Sequence, residues 1–112
     1  MDAAERLCAA VLTVVSVCDP NDYDGDQEIY CTYRNDYEPD VFAEGSPDVI
    51  LLPFILDLFL PRGMNPKATL RDLCAAVAAA GFTWPRVENG TVSGDPQHYV
   101  LTFEGMDDDG GI

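Results

Sequence analysis

Acidic side chains are concentrated in one stretch of this chain, and that stretch most constrains the fold. Ten of the twenty Asp and Glu residues lie between Asp19 and Asp48, where Arg34 is the one basic residue. The excess of negative charge in this stretch opposes compaction, and we expect part of it to serve recognition. The same stretch contains four of the five tyrosines: Tyr23, Tyr30, Tyr33 and Tyr37.

The overall composition still allows one folded domain. The 112 residues carry a formal net charge of −14, but 47% of them are hydrophobic and 10% are aromatic. That apolar content is enough for a core and argues against disorder. Nucleic acids and anionic membrane surfaces repel such a polyanion, so we expect it to bind neither directly. The charge instead favours a partner protein with a basic surface.

Targeting and cysteine patterns favour the cytoplasm. The apolar run Leu7–Val17 follows Asp2 and Glu5, so it lacks the basic n-region of a signal peptide. It is also too short to span a bilayer. None of the cysteines forms a C-x-x-C pair or stands at zinc-ligand spacing from a histidine. We expect no cofactor, and we expect reduced structural thiols at Cys8, Cys18, Cys31 and Cys74.

Apolar periodicity predicts about three helices. Residues 3–17 and residues 69–80 each carry one apolar stripe, and Gly81 follows the second where a C-terminal cap belongs. The apolar run Val49–Leu60 follows Ser46-Pro47-Asp48, which is a favourable helix start. Pro53 leaves two interpretations open for this run. One is a kinked helix over 47–60, and the other is an extended 49–52 followed by a shorter helix.

Alternating apolar residues predict the strands. Strands are expected at 28–34 and 97–104, and a hairpin is expected from 82–88 and 91–93 with its turn at Asn89-Gly90. The predicted fold class is therefore α+β, a single small domain with about three helices packed on a small, mainly antiparallel sheet.

The domain is expected to cover residues 1–105, followed by a flexible acidic tail at 106–112. The segment Leu-Cys-Ala-Ala-Val occurs at 7–11 and again at 73–77, so an internal αβ repeat is an alternative origin for the domain.

Motifs for catalysis and metal binding are absent from the sequence. His98 is the only histidine and has no sequence-adjacent partner, so we expect no enzymatic activity. Asp22 and Asp24 fit two positions of an EF-hand loop, but Pro20 and Cys31 then stand where carboxylates are required. We therefore expect no EF-hand. A looser cation site remains an alternative, formed by Asp19, Asp22, Asp24 and Asp26.

The acidic stretch has the character of a recognition surface. Carboxylates two residues apart on a strand share one face at a spacing of ~6.6 Å, and a row of them can present negative charge to Arg and Lys as a phosphate backbone does. In this respect the chain resembles the DNA-mimic proteins of phages and mobile elements, including some anti-CRISPR and anti-restriction proteins. The resemblance is of small size, acidity and Asp/Tyr clustering in residues 19–48, about a quarter of the chain, without a specific motif.

The resemblance implies a non-enzymatic inhibitor that blocks the basic, nucleic-acid-binding surface of a nuclease or a defence complex such as CRISPR–Cas. Tyr30 and Tyr37 would flank the carboxylates that stand in for phosphates, which are Asp22, Asp24, Asp26, Glu28, Asp36, Glu38 and Asp40.

An alternative function is a protein-interaction module, such as an immunity protein or an adaptor subunit. Such a module would dock, or form a homodimer, through the apolar segment 49–60. Its anchors would be Ile50, Phe54, Leu58 and Phe59.

Overall fold

The computed structural model describes residues 3–35 and 51–106. Two helices and five strands follow one another along these residues. In chain order they are α1 (Ala3–Val11), β1 (Cys18–Pro20), β2 (Tyr30–Asn35), β3 (Leu51–Leu60), α2 (Lys67–Ala79), β4 (Arg86–Asn89) and β5 (Gln97–Met106).

The five strands form one mixed sheet in the order β1-β2-β3-β5-β4. The pairs β2–β3, β3–β5 and β4–β5 are antiparallel, whereas the short β1 runs parallel to β2. The two ten-residue strands β3 and β5 pair along their whole length, from Leu51 opposite Met106 to Leu60 opposite Gln97. This long central pair is the framework on which the rest of the domain is built.

Both helices pack on one face of the sheet, which we call the helix face. Alternate side chains of β3 are buried there, and α1 and α2 cover them with residues that recur at helical spacing. The core residues include, from the helices, Leu7, Val11, Leu73 and Val77, and from the sheet, Leu52, Phe54, Leu56, Leu58, Leu60, Leu101 and Phe103. The opposite face, which we call the open face, carries the remaining side chains of each strand.

The prediction of about three helices is wrong for the described part of the chain, which contains two. The apolar segment 49–60 is the source of the error, because its residues 51–60 form the central strand β3 and not a helix. Periodicity cannot separate a continuous apolar strand from a buried helix. Pro53 is tolerated because β2 pairs only as far as Phe54, so no β2 residue from Tyr30 to Asn35 lies opposite Pro53.

The other elements follow the sequence prediction with shifted ends. The helix predicted at 69–80 is confirmed as α2, and Gly81 after it has the positive φ of 100° that a helix C-terminal cap requires. Helix α1 ends at Val11, well before residue 17. This early end agrees with the β-branched residues that follow it. The hairpin predicted from 82–88 and 91–93 is wrong, because β4 pairs with β5 instead.

The domain boundary predicted at residue 105 remains a prediction. Strand β5 continues to Met106, and the rest of the predicted acidic tail, 107–112, lies outside the described residues.

A helix and an antiparallel pair of strands occur in each half of the described chain, and the first half has the short β1 in addition. Helix α1 leads through β1 to β2 and β3, and α2 leads to β4 and β5, with the inner strands β3 and β5 side by side. The repeated segments 7–11 and 73–77 lie in α1 and α2, and Leu7 and Leu73 are both buried. This approximately two-fold arrangement favours the repeat interpretation over chance similarity of two Ala-rich helices.

Gly105 is a position where the core leaves no room for a side chain. A Cβ there would overlap the ring of Phe82, which is itself held edge-on against Phe54 and Phe103 and lies beneath the guanidinium of Arg6. We expect Gly105→Ala to lower the free energy of unfolding by about 1–3 kcal/mol through overpacking, as measured by urea titration. The same change in a Phe82→Leu background should cost less. Equal costs in both backgrounds would contradict the overlap.

Candidate partner-binding site

The connection between β1 and β2, residues 21–29, carries four acidic side chains, and we call it the acidic loop. All four are exposed: Asp22, Asp24, Asp26 and Glu28. The loop begins at Asn21, which has a left-handed φ of 65° and whose N–H donates to the carbonyl of Tyr33 at 2.8 Å. The first residue of the loop is thereby fixed to β2.

Tyr23 anchors the acidic loop from within. Its hydroxyl accepts a hydrogen bond from the backbone N–H of Gln27 at 3.1 Å. Its ring lies so close to Gly25 that a Cβ at that position would overlap it. The loop therefore wraps around a half-buried aromatic ring, which holds the intervening carboxylates in a defined arrangement.

A row of four rings, the aromatic row, connects the acidic loop to the open face of the sheet. Tyr23 contacts Tyr30 at a centroid distance of 4.7 Å, Tyr30 stacks on Phe59 at 4.7 Å, and Phe59 stacks on His98 at 4.4 Å. Cross-strand register explains the row, since Tyr30 is opposite Phe59 and Phe59 is opposite His98. The Tyr23 ring is tilted by 43° against Tyr30, the other two contacts are stacked, and the row crosses β2, β3 and β5.

A buried carboxylate holds the far end of the row in place. The Nε2–H of His98 donates to Oδ1 of Asp57 at 2.8 Å, and the guanidinium of Arg34 lies 3.8 Å from Oδ2. The Asp57 side chain is 13% exposed, so it needs such partners. Arg34, the one basic residue of the acidic stretch, is thus engaged on the sheet and lies outside the acidic loop.

The carboxylates of the acidic loop have no ion pair with any residue in 3–35 or 51–106. Two of the other basic side chains are also committed elsewhere: Arg86 pairs with Glu88, and Arg62 donates to the carbonyl of Gly94. The negative field of the loop is therefore not cancelled by the described cations.

The structure places five of the predicted site residues together. Asp22, Asp24, Asp26 and Glu28 lie on the acidic loop, and Tyr30 lies in the aromatic row, half-buried between Tyr23 and Phe59. The other predicted site residues lie outside the described residues: Asp36, Tyr37, Glu38 and Asp40.

Two supporting features escaped the sequence prediction. His98 has no sequence-adjacent partner, as expected, but Asp57, 41 positions away, reaches it through the pairing of β3 with β5. If residues 51–60 had been predicted as a strand, Asp57 and Phe59 would have been expected on the same face, because they are two residues apart. Asp57 would then have been a candidate partner for His98. The anchoring role of Tyr23 had no local signal beyond the Tyr-x-Gly spacing.

The alternative cation site does not form in the described part of the chain. No group of three or more His, Cys, Asp or Glu side chains within 3–35 and 51–106 is arranged to hold a metal ion. The four carboxylates proposed for it, Asp19, Asp22, Asp24 and Asp26, therefore do not converge.

Within the apolar segment 49–60, most side chains of the described positions 52–60 are buried. Phe54 and Leu58, two of its expected anchors, are buried at 1% and 0% exposure, and Phe59 is half-buried in the aromatic row. Ile50 lies outside the described residues. Neither α1 nor α2, the helices of residues 3–35 and 51–106, is long and apolar enough to cross a membrane.

Comparisons with known proteins returned no relatives: no family model, no curated protein and no solved structure matches this chain.

Proposed function

We propose that this protein is a non-enzymatic inhibitor that binds the basic surface of a nucleic-acid-binding protein and blocks it. The observation that carries the proposal is the acidic loop, where four exposed carboxylates lack cationic partners among the described residues and surround the anchored ring of Tyr23. The target class is a nuclease or a defence complex of the CRISPR–Cas kind, and the cytoplasm is the compartment in which such a target would be met.

Preorganisation is what makes the acidic loop suitable for this role. A mobile acidic segment loses conformational freedom on binding, whereas a loop held by Tyr23 has already lost much of it. Arg and Lys side chains that normally contact phosphates can pair with carboxylates in a similar geometry. Because the chain carries a formal net charge of −14, long-range attraction to a basic surface also speeds the encounter.

The proposal predicts strongly salt-dependent binding that requires the loop carboxylates. The first measurement is a pull-down from lysate of the native host, washed at low and then at moderate salt. We expect a captured nuclease or nucleic-acid-binding protein to be released by salt and displaced by added DNA or RNA. Exposed charges are screened over ~8 Å at physiological ionic strength, which is the reason for the salt effect.

The triple variant Asp22/Asp24/Asp26→Asn should weaken binding to that partner by roughly threefold to a hundredfold at low salt, since exposed ion pairs contribute ~0.2–1 kcal/mol each. A matched control, Asp72→Asn with Glu88→Gln and Glu104→Gln, removes the same charge from exposed sites on α2, β4 and β5, away from the loop. It should bind nearly as well as the native chain. A salt-resistant partner that is indifferent to the loop variant would overturn the proposal.

The second candidate function is docking through the segment 49–60, and the structure leaves fewer exposed anchor residues for it than the sequence suggested. Of the expected anchors in the described residues, only Phe59 reaches the open face. A partner that is lost on Phe59→Ala but retained by the loop variant would favour this alternative.

A further inference from the structure

Three of the four cysteines lie where α1 packs against the edge of the sheet. Cys8 is on α1 and Cys18 is the first residue of β1, and their Sγ atoms are 3.3 Å apart. Cys31 is the Cα partner of Cys18 across the β1–β2 pair. All four cysteines are free thiols, and Cys74 lies on α2.

We propose that Cys8 and Cys18 form a reversible intramolecular disulfide on exposure to a low-molecular-weight disulfide such as oxidised glutathione. A disulfide bond is about 2.0 Å long, so the two sulfur atoms must approach by little more than one ångström. Residues 12–17 between them form turns and not a helix or strand, so the small approach does not require a regular element to break. This inference is independent of the proposed inhibitory function.

Accessibility separates this pair from the third thiol of the group. Cys8 and Cys18 are both half-buried, whereas Cys31 is fully buried at 0% exposure beneath the helices. A small disulfide can therefore reach the first two sulfur atoms from solvent, but not the third. Cys31 is expected to remain a thiol while the other two react.

The reaction consists of two thiol–disulfide exchanges. The thiolate of Cys8 attacks one sulfur of oxidised glutathione, forms a mixed disulfide and releases one glutathione thiolate. Cys18 then loses its proton to solvent, attacks Sγ of Cys8 and releases the second glutathione. In sum, two protein thiols are oxidised and one glutathione disulfide is reduced to two thiols.

The rate of the closing step follows from the surroundings of Cys18. Burial raises the pKa of the Cys18 thiol, and its hydrogen bond with Cys8 raises it further. Cys18 therefore ionises far less readily than an ordinary thiol, so its attack is the slow step that closes the disulfide. We expect the disulfide to form over minutes to hours without a catalyst.

The disulfide would fasten α1 to the strand that leads directly into the acidic loop. Strand β1 is three residues long and lies at the edge of the sheet, so a covalent link to α1 constrains the least supported strand of the fold. Closing the chain between residues 8 and 18 also restricts the unfolded state. We expect Tm to rise by about 5 °C or more on oxidation and to return on reduction.

The test is incubation of the purified full chain with oxidised glutathione, followed by alkylation and peptide mass mapping. Trypsin is unsuitable because no Lys or Arg occurs between Arg6 and Arg34. Chymotrypsin cleaves after Leu12, Tyr23 and Tyr30, which places Cys8, Cys18 and Cys31 on three separate peptides. The expected product is a Cys8–Cys18 linked pair that dithiothreitol reverses, with Cys31 alkylated only after denaturation.

Cysteine variants provide the controls for this test. Cys8→Ser and Cys18→Ser should each abolish the linked peptide and the rise in Tm, whereas Cys74→Ser on α2 should keep both. If a variant fails to fold, the peptide mass map of the native chain still shows whether Cys8 and Cys18 are linked. A link that includes Cys31, a stable glutathione adduct without ring closure, or no oxidation at all would overturn the proposal.

Discussion

Replacing Phe54 by alanine should lower the free energy of unfolding by about 3–5 kcal/mol, the largest single-residue effect we expect. Phe54 is 1% exposed on the helix face of β3, with its ring stacked on Phe103 at 6.0 Å and edge-on to Phe82 at 5.5 Å. Truncation removes this aromatic cluster's central ring and leaves a cavity that the paired strands on both sides cannot close. Urea titration monitored by circular dichroism measures the loss.

Phe59 provides the matched control for Phe54, because it is the same residue type on the same strand. It lies on the open face, where it stacks between Tyr30 and His98 and is half-buried. We expect Phe59→Ala to cost clearly less, on the order of 1–2 kcal/mol, because less of its surface leaves water on folding. Equal costs for the two variants would contradict the placement of positions 54 and 59 on opposite faces of β3.

The elements that could be predicted from the sequence are those whose pattern has one structural meaning. The stripe of Leu70, Leu73 and Val77 ends at Gly81 and identifies α2, and the alternation of Tyr99, Leu101 and Phe103 identifies β5. In both cases the local pattern and the final packing agree.

The segment 51–60 could not be assigned from its pattern because both of its faces are largely covered. Its helix-facing residues meet the core, and Asp57 and Phe59 are held by partners from β5 on the other face. A strand in this position loses the polar alternation that would reveal it. The error then concealed the pairing of Asp57 with His98, because that contact depends on the register of β3 against β5.

Only part of the candidate site could be predicted from the sequence, for a related reason. Exposure of the loop carboxylates follows from composition, since unpaired charges are seldom buried. The arrangement of these carboxylates does not follow from it, because Tyr23 is positioned by Tyr30, and Tyr30 by Phe59 on the neighbouring strand. Contacts that run from the loop through β2 to β3 cannot be recognised in a short window of sequence.

The second large effect is a loss of stability at alkaline pH, caused mainly by the buried thiol of Cys31 and to a smaller extent by the half-buried thiol of Cys18. Burial raises the pKa of Cys31 from its ordinary value of 9.0 to about 12, and the negative charge of Asp57 adds to the shift. Burial also raises the pKa of Cys18, with a further contribution from the hydrogen bond with Cys8. Both groups ionise far more readily in the unfolded chain than in the folded one.

The sign and size of the effect follow from proton linkage. Below pH 9 both thiols are protonated in the folded and the unfolded states, so their full contribution to stability is present. Above the unfolded pKa of 9.0 the unfolded chain releases protons that the folded chain keeps, and stability falls. At pH 10 the loss is about 1.4 kcal/mol for Cys31, and the half-buried Cys18 adds less because solvent screens its charge.

Urea titrations of the fully reduced protein at intervals from pH 7 to pH 10.5 measure this loss. Tyrosine and lysine side chains also ionise in this range, so the informative quantity is the difference between the native chain and thiol variants. Cys31→Ala starts from a lower stability, because it removes a core sulfur atom, but its curve should fall less steeply above pH 9 by about 1.4 kcal/mol at pH 10. The Cys18→Ala curve should flatten in the same direction but by less, because Cys18 is only half-buried. Curves that stay parallel to that of the native chain throughout would show that these thiols ionise as easily in the fold as outside it.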